Sequence, residues 1–245
     1  MKISVVTVSY NSADTIADTL RSVRDQSHDA VEHILIDGAS TDQTMEQVRR
    51  HGGHLSHVVS EPDLGIYDAM NKGLRLATGD FVGFLNADDL LASRDTLALL
   101  AQAMPDADAL YGDLLYVDAT RTDKIVRSWV SGNYSSRRLR FGWMPPHPTF
   151  YVRRSLLAGT QFNQRYRIAA DYDFMLRCLL RPGLRVMYVP EVLIRMRTGG
   201  ASNQSLKAMW RKSREDLQVM RANKVGGLGT LIAKNLRKLP QFIGR

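Results

Sequence analysis

Four short apolar runs alternate with helix-patterned stretches through the first third of the chain, and this alternation restricts the fold more than any other feature. The runs are Ile3–Val8, His33–Asp37, His57–Ser60 and Phe81–Leu85, each of strand length and bounded by turn residues. Between them, residues 13–25, 42–50 and 66–77 carry helical spacing; in the last of these Ile66, Ala69, Met70, Leu74 and Ala77 share one face. Strand and helix in alternation predict an α/β layer with right-handed crossovers. The loops that follow the strands then converge on one edge: Ser9 to Asn11, Asp37 to Thr41, Glu61 to Gly65 and Asn86 to Asp89. Ligands of open α/β sheets bind on that edge.

Two of these loops carry carboxylates with chemical promise. Asn86, Ala87, Asp88 and Asp89 follow FVGFL without a break, and adjacent carboxylates repel unless something positive compensates them. A hard divalent ion with oxygen ligands is the simplest compensation. A helix N-terminus is the alternative, since Asp favours caps and DDLLASRDTLALLAQ can be read as helical. In DGASTD, the Asp37 carboxylate can accept hydrogen bonds from a ring N–H or ribose hydroxyls, and Gly38 permits close backbone approach. An Asx-turn with an N-cap explains the same residues.

The chain has 245 residues, 44% of them apolar, which suffices for one buried domain with an appendage. Its single cysteine, Cys178, lies in the apolar run FMLRCLL and reads as a buried bystander. No stretch approaches the ~20 apolar residues that cross a bilayer, and MKISVVTVSYNS reads as a first strand rather than a signal peptide. A cytoplasmic protein is expected. Residues 201–245 hold ten Lys and Arg against Glu215 and Asp216, a net charge of +8 that equals the charge of the whole chain. A neutral body with a basic tail calls for an anionic partner, either lipid headgroups or nucleic acid. The tail has few interleaved aromatics and no nucleic-acid motif, so no nucleic-acid partner is expected. No Gly-x-Gly-x-x-Gly follows the first strand, which argues against a dinucleotide-dependent oxidoreductase.

Taken in order, MKISVVTVSYN, DGASTD, EPDLGIYDAMNKG and LNADD resemble the nucleotide-binding half of the family 2 glycosyltransferases, and the resemblance resumes at IAADYDFMLR. It implies a GT-A fold: a Rossmann-like central mixed sheet flanked by helices, here with a C-terminal helical extension. It also implies a nucleotide-diphospho-sugar donor, Mg2+ or Mn2+, and inversion at the anomeric carbon. Residue by residue, Asp37 matches the carboxylate that contacts the base, and the main chain near Thr7, Ser9 and Tyr10 would line the same pocket. Asp88 matches the metal-binding acidic residue of the Asp-x-Asp motif. Asn86 stands where that motif begins with Asp, and it brings an acceptor oxygen without charge. Asp89 would support the site or cap a helix, and Lys72 would add positive charge near the donor. Asp171 matches the general base that takes the acceptor hydroxyl's proton, although Ala170 replaces the acidic residue usual before it. Asp173 and Arg177, at i and i+4, would form a supporting ion pair.

The segment Ser131–Pro148 is rich in Gly, Pro, Ser and Arg, and places Arg140, Trp143 and His147 as candidates for the acceptor side. Strands are predicted at 114–117, 125–129, 186–189 and 193–196, and a helix over 168–180. The chain divides into a GT-A domain of residues 1–204, with halves 1–90 and 91–204, and a basic helical tail of residues 205–245. In the tail, Leu228, Leu231, Ile232, Leu236, Leu239, Phe242 and Ile243 among Lys234, Arg237, Lys238 and Arg245 suit an interfacial helix. That helix would hold the enzyme on the inner face of the plasma membrane, beside a lipid-linked glycan acceptor. The departures at Asn86 and Ala170 leave open a non-catalytic subunit that binds a nucleotide-sugar or glycan.

Overall fold

The computed structural model describes residues 1–199 and 206–237. The first half reads β1 (Ile3–Ser9), α1 (Ile16–Arg24), β2 (Val31–Asp37), α2 (Thr44–His51), β3 (His57–Ser60), α3 (Ile66–Leu76) and β4 (Phe81–Asn86). These strands pair in parallel in the order β3-β2-β1-β4. Both faces of this layer are covered, as parallel strands require. Val6, Val8, Ile34 and Ile36 pack with Ala69 and Met70 of α3, while Leu35 packs with Ile16 and Leu20 of α1 and Val48 of α2. Gly73 lets α3 lie directly on β1, because a Cβ there would collide with the Val6 side chain.

The second half contains β5 (Asp89–Leu91), α4 (Thr96–Ala103), β6 (Ala109–Val117), β7 (Ile125–Trp129), α5 (Ser136–Leu139), β8 (Tyr151–Arg153), α6 (Ala170–Leu179), β9 (Val186–Arg197), α7 (Leu206–Ala222) and α8 (Leu228–Leu236). The nine strands form one mixed sheet of order β3-β2-β1-β4-β8-β6-β9-β5, with β7 on β6.

Three sequence expectations are corrected. Asp89 does not cap a helix: it opens β5, which pairs antiparallel with β9, and the helix begins only at Thr96. The predicted strand pair at 186–189 and 193–196 is one strand, β9, whose register against β6 jumps from Tyr111↔Tyr188 to Asp113↔Val192. Pro190 falls in that irregularity, where its missing N–H costs no ladder bond.

The third concerns the tail. Residues 206–237 are not an appendage to the domain: Val219, Met220 and Val225 belong to its main core cluster. Lys234 of α8 is 6% exposed, with its ammonium 2.8 Å from Asp216 and 3.5 Å from the centre of the Tyr172 ring. Burial holds that ammonium below the usual lysine range, with Asp216 opposing the shift. The tail positions Lys238, Leu239, Phe242, Ile243 and Arg245 lie outside the described residues. Cys178 is buried, and burial pushes its thiol up to about 11.

Candidate active site

The parallel registers align the ends of four strands. Ser60 pairs with Asp37, Asp37 with Ser9, and the neighbouring Val8 with Asn86. Adjacent strands lie about 4.8 Å apart, so Asp37 and the end of β4 are about 10 Å apart, the reach of a nucleoside with its first phosphate.

Asp37 is fully buried, and both its oxygens are occupied. Oδ1 accepts from the Ser9 hydroxyl at 2.9 Å and the Ser40 hydroxyl at 2.5 Å. Oδ2 accepts from the Ser40 N–H at 2.9 Å and the Ser60 hydroxyl at 2.7 Å. The carboxylate thus ties the ends of β1, β2 and β3 into one rim. It shapes this end of the crevice, and it supports Ala39 in the left-handed region at φ 58°. Tyr10 stands over this rim with 65% of its surface exposed. Asp63, which sequence reasoning missed, stands beside it: a Cβ built on Gly38 would lie 2.6 Å from Asp63 Oδ2 and 3.4 Å from the Tyr10 ring. Its other oxygen accepts the Gly65 N–H at 2.8 Å. A carboxylate beside an exposed aromatic ring suits a planar base with N–H groups.

Two donor-side candidates act differently from expectation. Thr7 is fully buried on the α1/α2 side of β1, where its hydroxyl shares a hydrogen bond with His33 Nε2 at 2.9 Å, so it does not reach the crevice. The Lys72 ammonium bonds the Pro62 carbonyl at 2.9 Å and pairs with Glu61 at 2.8 Å. It fastens the loop that carries Asp63, and its hydrogen bond to Glu61 raises its pKa.

At the end of β4 the Asn86 amide donates to Asp89 Oδ2 at 3.3 Å. Asn86 Oδ1 and Asp89 Oδ1 are buried without a hydrogen-bond partner. Burial, then the neighbouring Asp88 charge, holds the Asp89 carboxyl well above the usual range; burial also raises Asp88, which Arg197 partly offsets. Hard oxygens left without partners fit a divalent cation. Among the described residues no three His, Cys, Asp or Glu side chains gather there, so a bound ion would draw further ligands from donor and water. The turn is clamped from behind. The Thr19 hydroxyl donates to the Ala87 and Asp89 carbonyls, and Arg197, 8% exposed, donates to the Asp88 carbonyl at 2.8 Å and to Asp18 Oδ2 at 2.5 Å.

Asp171 lies in the first turn of α6, with Ala169 as the N-cap. Its Oδ1 accepts the Tyr172 N–H at 2.8 Å and the Tyr67 hydroxyl at 3.3 Å. Its Oδ2 receives no hydrogen bond from a described residue. Tyr67 also bonds the Ile168 carbonyl at 2.7 Å, and burial raises its pKa, so it remains a donor. From the opposite side Glu215 Oε2 of α7 accepts the N–H groups of Ile168 and Ala169 at 2.8 and 3.0 Å. The entry to α6 is further fixed by a reciprocal pair between Asn71 and the Phe162 backbone, at 2.9 and 2.7 Å. Asp173 bonds Arg177 at 2.8 Å, as its spacing predicts, and also accepts from Asn223 of α7 at 2.9 Å.

His147 joins the two carboxylate regions. Its ring stacks on Phe84, two residues before Asn86, at 5.6 Å; its Nε2 is buried without a partner; and burial lowers its pKa while Asp171 raises it. The other acceptor-side candidates lie elsewhere. Trp143 is 5% exposed, donates to the Ser131 carbonyl at 2.8 Å and packs on Tyr111, so it presents no free face to an acceptor. Arg140 lies beside α8, where its carbonyl accepts the Thr230 hydroxyl at 2.9 Å.

A mixed sheet whose parallel strand ends form one rim, with an acidic turn after β4, is the GT-A fold. The model of the family described as Glycosyl transferase family 2 matches residues 4–166, and the chain belongs to that family. It is similar to a PGL/p-HBAD biosynthesis glycosyltransferase of Mycobacterium bovis, with 35% identity over 206 residues that cover 82% of this chain and 78% of the relative. Among solved structures it resembles S. aureus TarS in complex with UDP-GlcNAc, with TM-score 0.70 and 22% identity over 92% of this chain and 66% of that one. It also resembles glucosyl-3-phosphoglycerate synthase from Mycobacterium tuberculosis with Mn2+ and UDP, with TM-score 0.64 and 20% identity over 91% of this chain and 79% of that one. The protein is therefore a glycosyltransferase.

Proposed function

We propose that this glycosyltransferase moves one sugar from a nucleotide-diphospho-sugar to a hydroxyl of a glycan acceptor, with inversion and with Asp171 as general base. One observation carries the assignment. Asp171 has one oxygen held by the Tyr172 N–H, and its other oxygen is free of hydrogen bonds from described residues. The Tyr67 hydroxyl, whose proton goes chiefly to the Ile168 carbonyl, lies 3.3 Å from the first oxygen. A carboxylate held this way presents one oxygen to an incoming hydroxyl. As the acceptor oxygen bonds the anomeric carbon, its proton passes to Asp171 Oδ2, and the bond from that carbon to the diphosphate breaks in the same displacement. Tyr10, Asp63 and the rim built by Asp37 and Ser9 would hold the base and ribose. Asp88 and Asn86 would hold Mg2+ or Mn2+, with Asp89 behind them. When bound, the ion supplies positive charge to the departing diphosphate.

Solved neighbours with UDP-GlcNAc, with GDP-Man and Mn2+, and with UDP and Mn2+ support uridine and guanosine nucleotide-sugars and a divalent ion as the first to test. The M. bovis relative is named for PGL/p-HBAD biosynthesis, and a lipid-linked glycan is the acceptor class proposed here. No helix among the described residues is long and apolar enough to cross a membrane.

The test uses Asp171→Asn and Asp88→Ala proteins. Asp171→Asn should keep donor-induced thermal stabilisation and lose transfer by at least about a hundredfold, the usual worth of a positioned base. Asp88→Ala should lose the metal-dependent part of that stabilisation. Near-normal transfer by a folded Asp171→Asn protein would remove the assignment.

A further inference from the structure

Where α5 and the end of α6 meet the turn between α7 and α8, a cavity of about 360 Å³ is lined by Ser136, Arg137, Arg140, Leu180, Lys224 and Val225. Three of these side chains are cationic and none is acidic. Arg137, Arg140 and Lys224 are exposed, and among the described residues none of their side chains forms an ion pair or hydrogen bond. Other exposed arginines, such as Arg49 and Arg75, also have no such partner; what sets these three cations apart is that they line one hollow. Cations gathered around a hollow without counter-charge repel one another unless an anion enters.

An apolar row lies on α8, the helix that follows Lys224 and Val225 in the chain. On α8, Leu228, Ile232 and Leu236 are 60%, 60% and 57% exposed, at i, i+4 and i+8, a row about 12 Å long. The helix cannot roll to hide them. Lys234 is locked inward on Asp216 and Tyr172, Thr230 donates to the Arg140 carbonyl, and the backbone at Lys234 sits against Gly142, where a Cβ would come within 2.7 Å of it. Phe141, half exposed, extends the apolar surface at the helix's end, where its carbonyl accepts Arg237 Nε at 3.0 Å.

We propose that this face seats the enzyme on an anionic bilayer, with a lipid phosphate headgroup in the Arg137–Arg140–Lys224 cavity and the Leu228–Ile232–Leu236 row at the acyl boundary. Charge selects this occupant: the three cations are unmatched here, and residues 201–245 carry a net +8. An apolar row beside cations is the pattern of interfacial helices. The proposal does not depend on the identity of the general base, and its test requires no sugar transfer.

The test is flotation of the full chain with phosphatidylcholine vesicles, with and without phosphatidylglycerol, beside Arg137→Gln/Lys224→Gln and Ile232→Ser proteins. Wild type should float only with the anionic vesicles. The double variant should bind them about twentyfold more weakly, from about fivefold per basic residue near the surface. Ile232→Ser should weaken binding at unchanged charge. All replaced side chains are exposed, so unchanged melting temperatures are expected and are checked first. Equal flotation of wild type and double variant, or no preference for phosphatidylglycerol, overturns the proposal. So does full release by millimolar inorganic phosphate at constant ionic strength, which would indicate a site for free anions. Tighter binding to a single-stranded oligonucleotide than to anionic vesicles, abolished in the double variant, would reassign the face to nucleic acid.

Discussion

Replacing Glu215 with alanine removes the acceptor of two amides at the entry to α6, one turn from the carboxylate to which catalysis is assigned. Glu215 Oε2 bonds the N–H groups of Ile168 and Ala169, and it is 9% exposed itself. Ala169 is 2% exposed, so water cannot readily replace the lost acceptor. A buried amide left without a partner costs about 1–3 kcal/mol. Ile168 is only partly buried and can recruit water, so its share is smaller. The carboxylate's interaction with the helix N-terminus contributes about 0.3–1 kcal/mol more. The sum is about 3 kcal/mol for Glu215→Ala. Glu215→Gln keeps an acceptor oxygen and loses the charge, so about 1 kcal/mol is expected. In a domain of this size 1 kcal/mol moves Tm by about 2–4 °C, which gives about 6–12 °C for Ala and 2–4 °C for Gln. Urea unfolding and calorimetry of the full chain measure both values. Well below either Tm, Glu215→Ala should lower kcat more than it raises the donor KM, because Asp171 loses its support while the nucleoside rim is untouched, and Gln should restore most of the loss. A Glu215→Ala protein within about 0.5 kcal/mol of wild type would refute the reasoning, as would a Gln variant as unstable as Ala.

Asn86→Asp should tighten Mn2+ binding about tenfold, since affinity at oxygen sites rises with ligand charge. In the absence of metal it should destabilise the fold, because a third carboxylate joins Asp88 and the buried Asp89; titration calorimetry with Mn2+ reads the first effect and melting without metal the second. Stability should also fall on mild acidification. His33 is 1% exposed, and burial, with His54 beside it, pushes it down to about 3. Between that value and its ordinary 6.5 the unfolded chain binds the extra proton, so stability rises with pH across this window, and about 2 kcal/mol is lost at pH 5. Burial lowers His54 and His147 in the same direction. Urea midpoints at pH 7 and pH 5 should differ less in His33→Gln than in wild type; equal differences would sink the assignment.

How much of this was legible in the sequence depended on how far each residue's partner lay along the chain. The strand ends were legible because parallel pairing makes position along the strand equal to position in the crevice: Ser9, Asp37, Ser60 and Asn86 are each the last residue of their strand. What those side chains do was not. Asp37 could be read as a ligand for a base, yet its four acceptor positions are taken by Ser9, Ser40 and Ser60, two of them on other strands. Asp63 was visible as a carboxylate in EPDLG, but only the fold of the loop over Gly38 brings it to the rim. Local propensity favours a cap at Asp89, and that alternative fails because pairing with Met196, more than a hundred residues away, makes it strand. Arg197 and Glu215 carried no local signal at all. Their partners, Asp88 and Ile168, are separated from them by 109 and 47 residues, and a basic or acidic residue in an amphipathic pattern is by default a solvated one. The same blindness made the tail look detachable. Its basic residues were read as one solvated face, whereas Lys234 turns inward on Asp216 and Tyr172 and, with Thr230 on the Arg140 carbonyl, leaves Leu228, Ile232 and Leu236 facing out.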